Sequence, residues 1–431
     1  MTTGGCAVER SLFGNRDYRR LFGAQVVALF GTGLATVALG LLAYRLAGAR
    51  AGAVLGTALA LKMVVYVVVA PIAGAFADRV PRRLLLAGLD LVRALVVSAL
   101  PLVTEVWHVY ALIVVLQSAS AAFTPTFQAV LPDVLPDERD YTRALSASQL
   151  ASSAETLLSP VLAAAVLSLV SFHWLFTGTA VGFLVSAALV VATRIPPARP
   201  VVRARLVDRI TAGTRIFLAT PRLRGLLAVN LAVAGASAIV MVNTVNYVHD
   251  ALGRTDTDVA VLLAAHGAGT IVVALALPRV LGRVADRSVV LAGATALCVG
   301  AGLAIALSTA GSGAWRWPAA LTTWAVLGAG AGLLLTPIGR VLRRSARAAD
   351  RPAVFAAQFS LSHACWLLTY PIAGWVVTAT GFTTGWTALA TLAVAGTVAA
   401  RFLWPRNDSP ATARDGEPRS VERADSGQGT R

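Results

Sequence analysis

Twelve apolar stretches of about 20 residues or more run through this 431-residue chain. At about 1.5 Å per residue each is long enough, as a helix, to cross a hydrocarbon core of about 30 Å. They lie near Leu21 to Leu46, Gly52 to Ala77, Leu84 to Val103, Val109 to Val130, Ala144 to Val170, Trp174 to Ala192, Leu226 to Val248, Val259 to Leu281, Val289 to Ala310, Trp317 to Leu342, Val354 to Thr378 and Phe382 to Trp404. Only 13% of the residues are charged and 57% are hydrophobic, about half the charged share of a soluble protein. A backbone in lipid has to satisfy its own hydrogen bonds. The reading is an all-α membrane protein with twelve transmembrane helices.

The net charge of +16 raises nucleic acid as a partner, and the placement of the arginines argues against it. With the N-terminus inside, 31 of the 37 basic residues fall in inner segments; Arg45, Arg50, Arg254 and Arg316 fall outside, and Lys62 and Arg93 fall within helices. That bias predicts an inner (plasma) membrane protein with both termini cytoplasmic. The first apolar run is expected to be a first span and not a cleavable leader. Cys6, Cys298 and Cys365 form no paired framework and read as small packing residues.

Between the sixth and seventh spans, residues 194–224 hold eight arginines and one acid, Asp208. Within them Leu206, Ile210, Gly213 and Phe217 recur at helical spacing, which predicts a short helix on the inner leaflet. The expected organisation is a cytoplasmic segment 1–20, a six-helix bundle 21–193, the basic linker 194–224, a second bundle 225–404 and a disordered polar tail 405–431. The halves repeat: "GAFADR" from Gly74 matches "GRVADR" from Gly282, "FTPTFQAVL" from Phe123 matches "LTPIGRVLR" from Leu335, and "LLSP" from Leu157 matches "LLTYP" from Leu367. Such duplication marks transporters that move one half against the other around a midplane site.

"GAFADRVPRR", Gly74 to Arg83, resembles the loop signature between the second and third helices of the major facilitator superfamily. Topology, duplication and length agree over about Arg16 to Trp404. "NRDYRRLFGAQ" at Asn15 and "FTPTFQAVLPDVLP" at Phe123 resemble more particularly the macrolide-efflux and enterobactin-exporter branch. The resemblance implies two pseudo-symmetric bundles of the major facilitator fold. It also implies that the first, fourth, seventh and tenth helices line a cavity, that the fifth packs on the eighth, and that the second packs on the eleventh. Asp78, Arg79, Arg82 and Arg83 resemble that family's inner gate, joined by Asp90 and Arg93, one turn apart on the third helix and able to pair.

Ionisable groups in a span cost at least about 2.5 kcal/mol each to insert, so they are functional candidates by default. Lys62, the sole lysine, lies about 24 Å above the inner loop at helical rise. It is expected to face the cavity, binding an anionic or carbonyl group or pairing with an acid. Glu155 shares a stripe with Ser148, Ser152 and Ser159; burial eases protonation of a carboxylate, which makes Glu155 the first candidate for a proton carrier. His266 and His363 lie at similar depth and would face Glu155 and Lys62 in the implied architecture. Gln25, Thr32 and Thr36 share one side of the first helix, and Gln117, Ser120, Thr124 and Gln128 follow helical spacing on the fourth. With Asn230, Asn243 and Asn246 on the seventh they are candidate cavity wall, the alternative being glue between helices. Trp324 and Trp366 are candidate contacts for an apolar substrate, with packing as the other reading.

No phosphate loop is present, and "GAGAG" at Gly328 sits inside a span, where glycine serves close packing. The chain reads as a non-enzymatic secondary transporter without cofactor or resident metal, acting as a monomer. Its expected work is proton-coupled efflux of an amphiphilic small molecule by alternating access. The alternatives are a transition-metal exporter using His266, His363 and Cys365, and a non-transporting receptor or scaffold of the same fold.

Overall fold

The computed structural model describes residues 12–76, 81–135, 137–195, 206–281, 284–346 and 351–405. Asp78, Arg79 and the expected tail from residue 406 lie outside them. The spans are α1 (Arg16–Ala47), α2 (Ala51–Phe76), α3 (Arg82–Ala99), α4 (Val106–Val134), α5 (Glu138–Leu167) and α6 (His173–Val191) in the first half. After the linker helix α7 (Leu206–Ala219) come α8 (Pro221–Asn246), α9 (Asp256–Leu281), α10 (Asp286–Thr309), α11 (Arg316–Ser345), α12 (Arg351–Pro371) and α14 (Phe382–Leu403). A π-helical turn, Ile372–Val376, carries α12 into the short α13 (Val377–Thr380). Among the described residues nine helical stretches are long and apolar enough to cross a membrane, the first, Arg16–Val69, taking in α1 and most of α2. α5 and α12, the helices of Glu155 and His363, complete the set.

Local chemistry sets the ends. Asn15 caps α1 by accepting from the backbone N–H groups of Asp17 and Tyr18 at 3.0 and 3.1 Å, which supplies partners for otherwise orphaned donors. Gly381, at φ 87°, takes a left-handed conformation that costs glycine little and lets the chain reverse between α13 and α14. The π turn follows Pro371, whose ring nitrogen cannot supply a helical hydrogen bond.

The internal repeat is visible in the packing. α1 packs on α5 and α6, α2 on α4, and α3 on α4 and α6; in the second half α8 packs on α12 and α14, α9 on α11, and α10 on α11 and α14. Across the halves α5 meets α9 and α2 meets α12. Lipid offers little hydrophobic drive for helix association, so small residues that admit a neighbour's backbone do much of the holding. A side chain at Gly328 would collide with the carbonyl of His266, and one at Gly269 with that of Ala325, which binds α9 to α11. Gly56 of α2 and Gly374 of the π turn meet in the same manner across the halves.

Polar contacts between the halves gather at the end remote from the start of α1. There Tyr44 donates to Asp250 at 2.6 Å, Asn246 donates to the carbonyls of Gly48 and Ala49 at 3.3 and 3.2 Å, and Trp375 donates to Thr57 at 2.9 Å. At the other, basic end two ion-paired junctions lie within a half. Arg82 of α3 pairs with Asp133 of α4; Asp286 of α10 pairs with Arg340 and Arg344 of α11. The same junction is thus made twice with the charges exchanged. The linker helix forms as expected, but its Gly213 abuts Ala353 of α12 and Phe217 is fully buried, so this part of the stripe meets protein where lipid was expected.

Gly328→Ala is expected to lower stability by roughly 1 to 3 kcal/mol, the usual cost of overpacking. A melting temperature for the detergent-purified variant equal to that of the parent would refute the close-approach account of the α9/α11 seam.

Candidate substrate and proton site

Lys62 lines a cavity in the first half. α1 contributes Thr32 and Thr36, α4 contributes Gln117 and Ser120, and Leu39, Leu59, Leu100, Ile113, Leu116 and Phe183 supply apolar walls. The hydroxyls of Thr32, Thr36 and Ser120 donate to carbonyls one turn earlier on their own helices, at 2.9, 3.0 and 2.9 Å. What remains available is therefore their acceptor lone pairs. Gln117 is 8% exposed, and among the described residues its Oε1 has no hydrogen-bond partner. Four of the polar residues read from the sequence as cavity wall and the intramembrane lysine thus come together; Thr124 is exposed and Gln25 instead accepts from Ser148 at 2.8 Å.

Glu155 reaches the same neighbourhood from α5. Its Oε1 lies 2.6 Å from where a side chain on Gly33 would begin, with Ser159 crowding the same spot. Gly33 is the residue after Thr32, so only the missing side chain allows α5 to bring a carboxylate this close to the cavity wall. Ser148, Ser152 and Ser159 do share the face toward α1, through Gln25 and Gly33.

A residue missed in the sequence joins these groups. Tyr66, one turn after Lys62 on α2, holds its ring under the ammonium, with Nζ 5.8 Å from the centroid, a cation–π distance. Its other neighbour is His363 of α12: the rings are 5.8 Å apart and inclined by 14°. His363 Nδ1 donates to the Phe359 carbonyl at 2.6 Å, since a carbonyl only accepts. Lys62 and His363 thus share Tyr66 as a neighbour, the one on its own helix and the other on α12. The i, i+4 spacing of Lys62 and Tyr66 was the signal available for it.

Other expected roles are corrected by where the side chains lie. Asp90 and Arg93 do pair, but inside the first half: both are buried, Ser186 donates to Asp90 at 2.7 Å, and the guanidinium lies 4.1 and 4.5 Å from the ring centroids of Phe123 and Phe183. These contacts join α3, α4 and α6 within the first half. Two contacts of the expected gate arginines also lie within the half: Arg82 pairs with Asp133, and Arg83 donates to the Val191 carbonyl. Asn230 and Gln358 exchange two amide hydrogen bonds of 3.2 Å; Asn243 donates to Ala373 at 2.8 Å and accepts from Trp386 at 3.1 Å. These amides bond to neighbouring helices of the second half, the helix-joining alternative read from the sequence. Trp324, fully buried, donates to Thr244 at 2.9 Å. His266 is buried where its backbone packs on Gly328, whereas Glu155 lies against Gly33. Among the described residues no group of three or more His, Cys, Asp or Glu side chains is placed to hold a metal ion.

The family model described as Major Facilitator Superfamily matches residues 21–245 and again 225–426. An uncharacterized MFS-type transporter, YfiS, of Bacillus subtilis (strain 168) is 28% identical over 123 residues, 28% of this chain and 29% of that one. Macrolide efflux protein A of Enterococcus faecalis is 29% identical over 136 residues, 30% of this chain and 42% of that one. The match thus spans less than half the length of these relatives. Among solved structures, a variant of the nucleoside transporter NupG superposes with a TM-score of 0.70 at 13% identity, covering 90% of this chain and 100% of that one. A D-xylose-proton symporter gives 0.66 at 15% identity, covering 90% and 97%. At such identities the likeness speaks to fold.

Asp90→Asn leaves Arg93 charged and buried beside a neutral amide, and breaking a buried pair in this way costs about 3 to 5 kcal/mol. The expected result is a large fall in melting temperature. Unchanged melting with altered transport would instead return the pair to a gating role.

Proposed function

We propose that this chain, which belongs to the Major Facilitator Superfamily and is a secondary transporter, exports an amphiphilic small molecule across the inner (plasma) membrane in exchange for protons. The observation that supports the reading is Lys62 on a polar cavity lined from α1 and α4, with Glu155 of α5 held against α1 at Gly33, the neighbour of the cavity residue Thr32. Each charge would cost several kcal/mol to hold in hydrocarbon, and a transporter has a use for both. The partial likeness to macrolide efflux protein A supports the outward direction.

In this scheme Glu155 is ionised on the cytoplasmic side and offsets Lys62, so the site is close to neutral and accepts a cargo whose carbonyl or similar group takes a hydrogen bond from the ammonium. A proton arriving from outside neutralises Glu155. Lys62 is then an unbalanced cation at low dielectric, which attracts water and expels an apolar cargo. The two bundles, residues 21–193 and 225–404, rock about the site. The contacts of Tyr44, Asn246, Gly56 and Gly374 form the outer closure that opens in the other state. Arg82 and Arg83 keep the first bundle moving as one body, the termini lie in the cytoplasm, and a single chain suffices.

Glu155→Gln reconstituted in vesicles tests the coupling: the variant is expected to lose transport driven by an imposed pH gradient while retaining exchange of cargo at equal pH. Flux that still follows the gradient would remove Glu155 from the mechanism.

A further inference from the structure

The packing of α2 on α4 brings Lys62 and Gln117, far apart in the chain, to the wall of one cavity. Gln117 is more than nine-tenths buried, and among the described residues its Oε1 has no hydrogen-bond partner. The hydroxyls of Thr32, Thr36 and Ser120 on the same wall have their hydrogens committed to carbonyls of their own helices, so lone pairs are what they can offer an occupant. Lys62 brings three donors. The centroid of the Tyr66 ring, 5.8 Å from Nζ, stands at the far limit of a cation–π contact and is too distant to take a hydrogen bond.

The cavity measures about 20 Å³, and about 10 to 15 Å³ is enough for one water. Size therefore limits the occupant to a species no larger than a water or a small ion. Charge narrows it further. A small anion would meet the lone pairs of three hydroxyls whose hydrogens point elsewhere, and a small cation would be repelled by Lys62. Water both donates and accepts, so one molecule can take a hydrogen bond from the ammonium and give one to Gln117 Oε1. Without it, each of these groups would be unfavourable to bury.

We infer that the cavity is a binding site for a structural water held between Lys62 and Gln117 Oε1, and that this water solvates the Lys62 ammonium inside the first bundle. Gln117 is then a positioning residue that acts on Lys62 through the water. Glu155 is not among the lining residues, so the hydration of Lys62 does not depend on the coupling role proposed for that carboxylate.

Phe183 and Phe176 of α6 provide the test. They are equally inaccessible, at 1% and 0% exposed, and of the two Phe183 alone lines the cavity. X-ray radiolysis of the full chain in lipid nanodiscs converts bound water to hydroxyl radical, which oxidises the side chains beside it. Mass spectrometry is expected to find Phe183 modified several times faster than Phe176; equal rates in the parent protein overturn the inference, and that comparison needs no variant. Gln117→Leu with the parent's size-exclusion profile is expected to bring the Phe183 rate down to that of Phe176, and an unchanged rate overturns the placement at Gln117. Because Lys62 is the sole lysine, isotope-labelled lysine gives a single side-chain ammonium signal in solid-state NMR. Magnetisation transfer from water to that ammonium is expected in the parent and is expected to be lost in Gln117→Leu; its absence from the parent sinks the assignment. Glu155→Gln is expected to leave the Phe183 rate at that of the parent, and a loss there with none in Gln117→Leu would also overturn it.

Discussion

A polar side chain removed from water must find a partner, and the structure answers that demand differently in its two halves. In the second half the amides close on one another and on helix backbones: Asn230 with Gln358, Asn243 with Ala373 and Trp386, Thr244 with Trp324. Each of these groups already has its partner inside the bundle. Around the first-half cavity the hydroxyls of Thr32 and Ser120 turn their hydrogens to their own helices and Gln117, lining the same cavity as Lys62, keeps an unmatched oxygen. Duplication supplied two similar bundles, and side-chain chemistry has since given them unequal work.

Glycine makes the arrangement possible. Gly33 lets Glu155 approach the cavity wall, Gly56 and Gly374 let the halves touch at the end remote from the start of α1, and Gly328 and Gly269 seat α9 on α11. In each case a neighbouring carbonyl or side chain occupies the volume a methyl group would need. Rigid halves follow from such packing, and rigid halves are what a rocking motion requires. The ion pairs at the basic end reinforce this, Arg82 with Asp133 in one half and Asp286 with Arg340 and Arg344 in the other.

Tyr66 links the halves through an aromatic contact and not through charge. It lies near the ammonium of Lys62 and against His363 of α12. The buried pair of Asp90 with Arg93, closed off by Phe123 and Phe183, joins helices of the first half alone.

The sequence by itself determined the membrane character, the number of spans and most of their limits, and the repeat, because a lipid-crossing helix needs about 20 apolar residues wherever it packs. It also singled out Lys62, Glu155, Thr32, Gln117 and Ser120, since polar groups at membrane depth are conspicuous in one dimension. Which of them meet was decided only by the tertiary structure. Asn230 and Gln117 look alike in the chain, yet one is closed by Gln358 and the other opens on a cavity; His266 and His363 lie at similar depth, yet one packs on Gly328 and the other stacks on Tyr66. The reason is that depth follows from position along a helix, whereas partnership depends on how each helix is rotated about its axis, and that rotation is set by glycine contacts contributed by other helices.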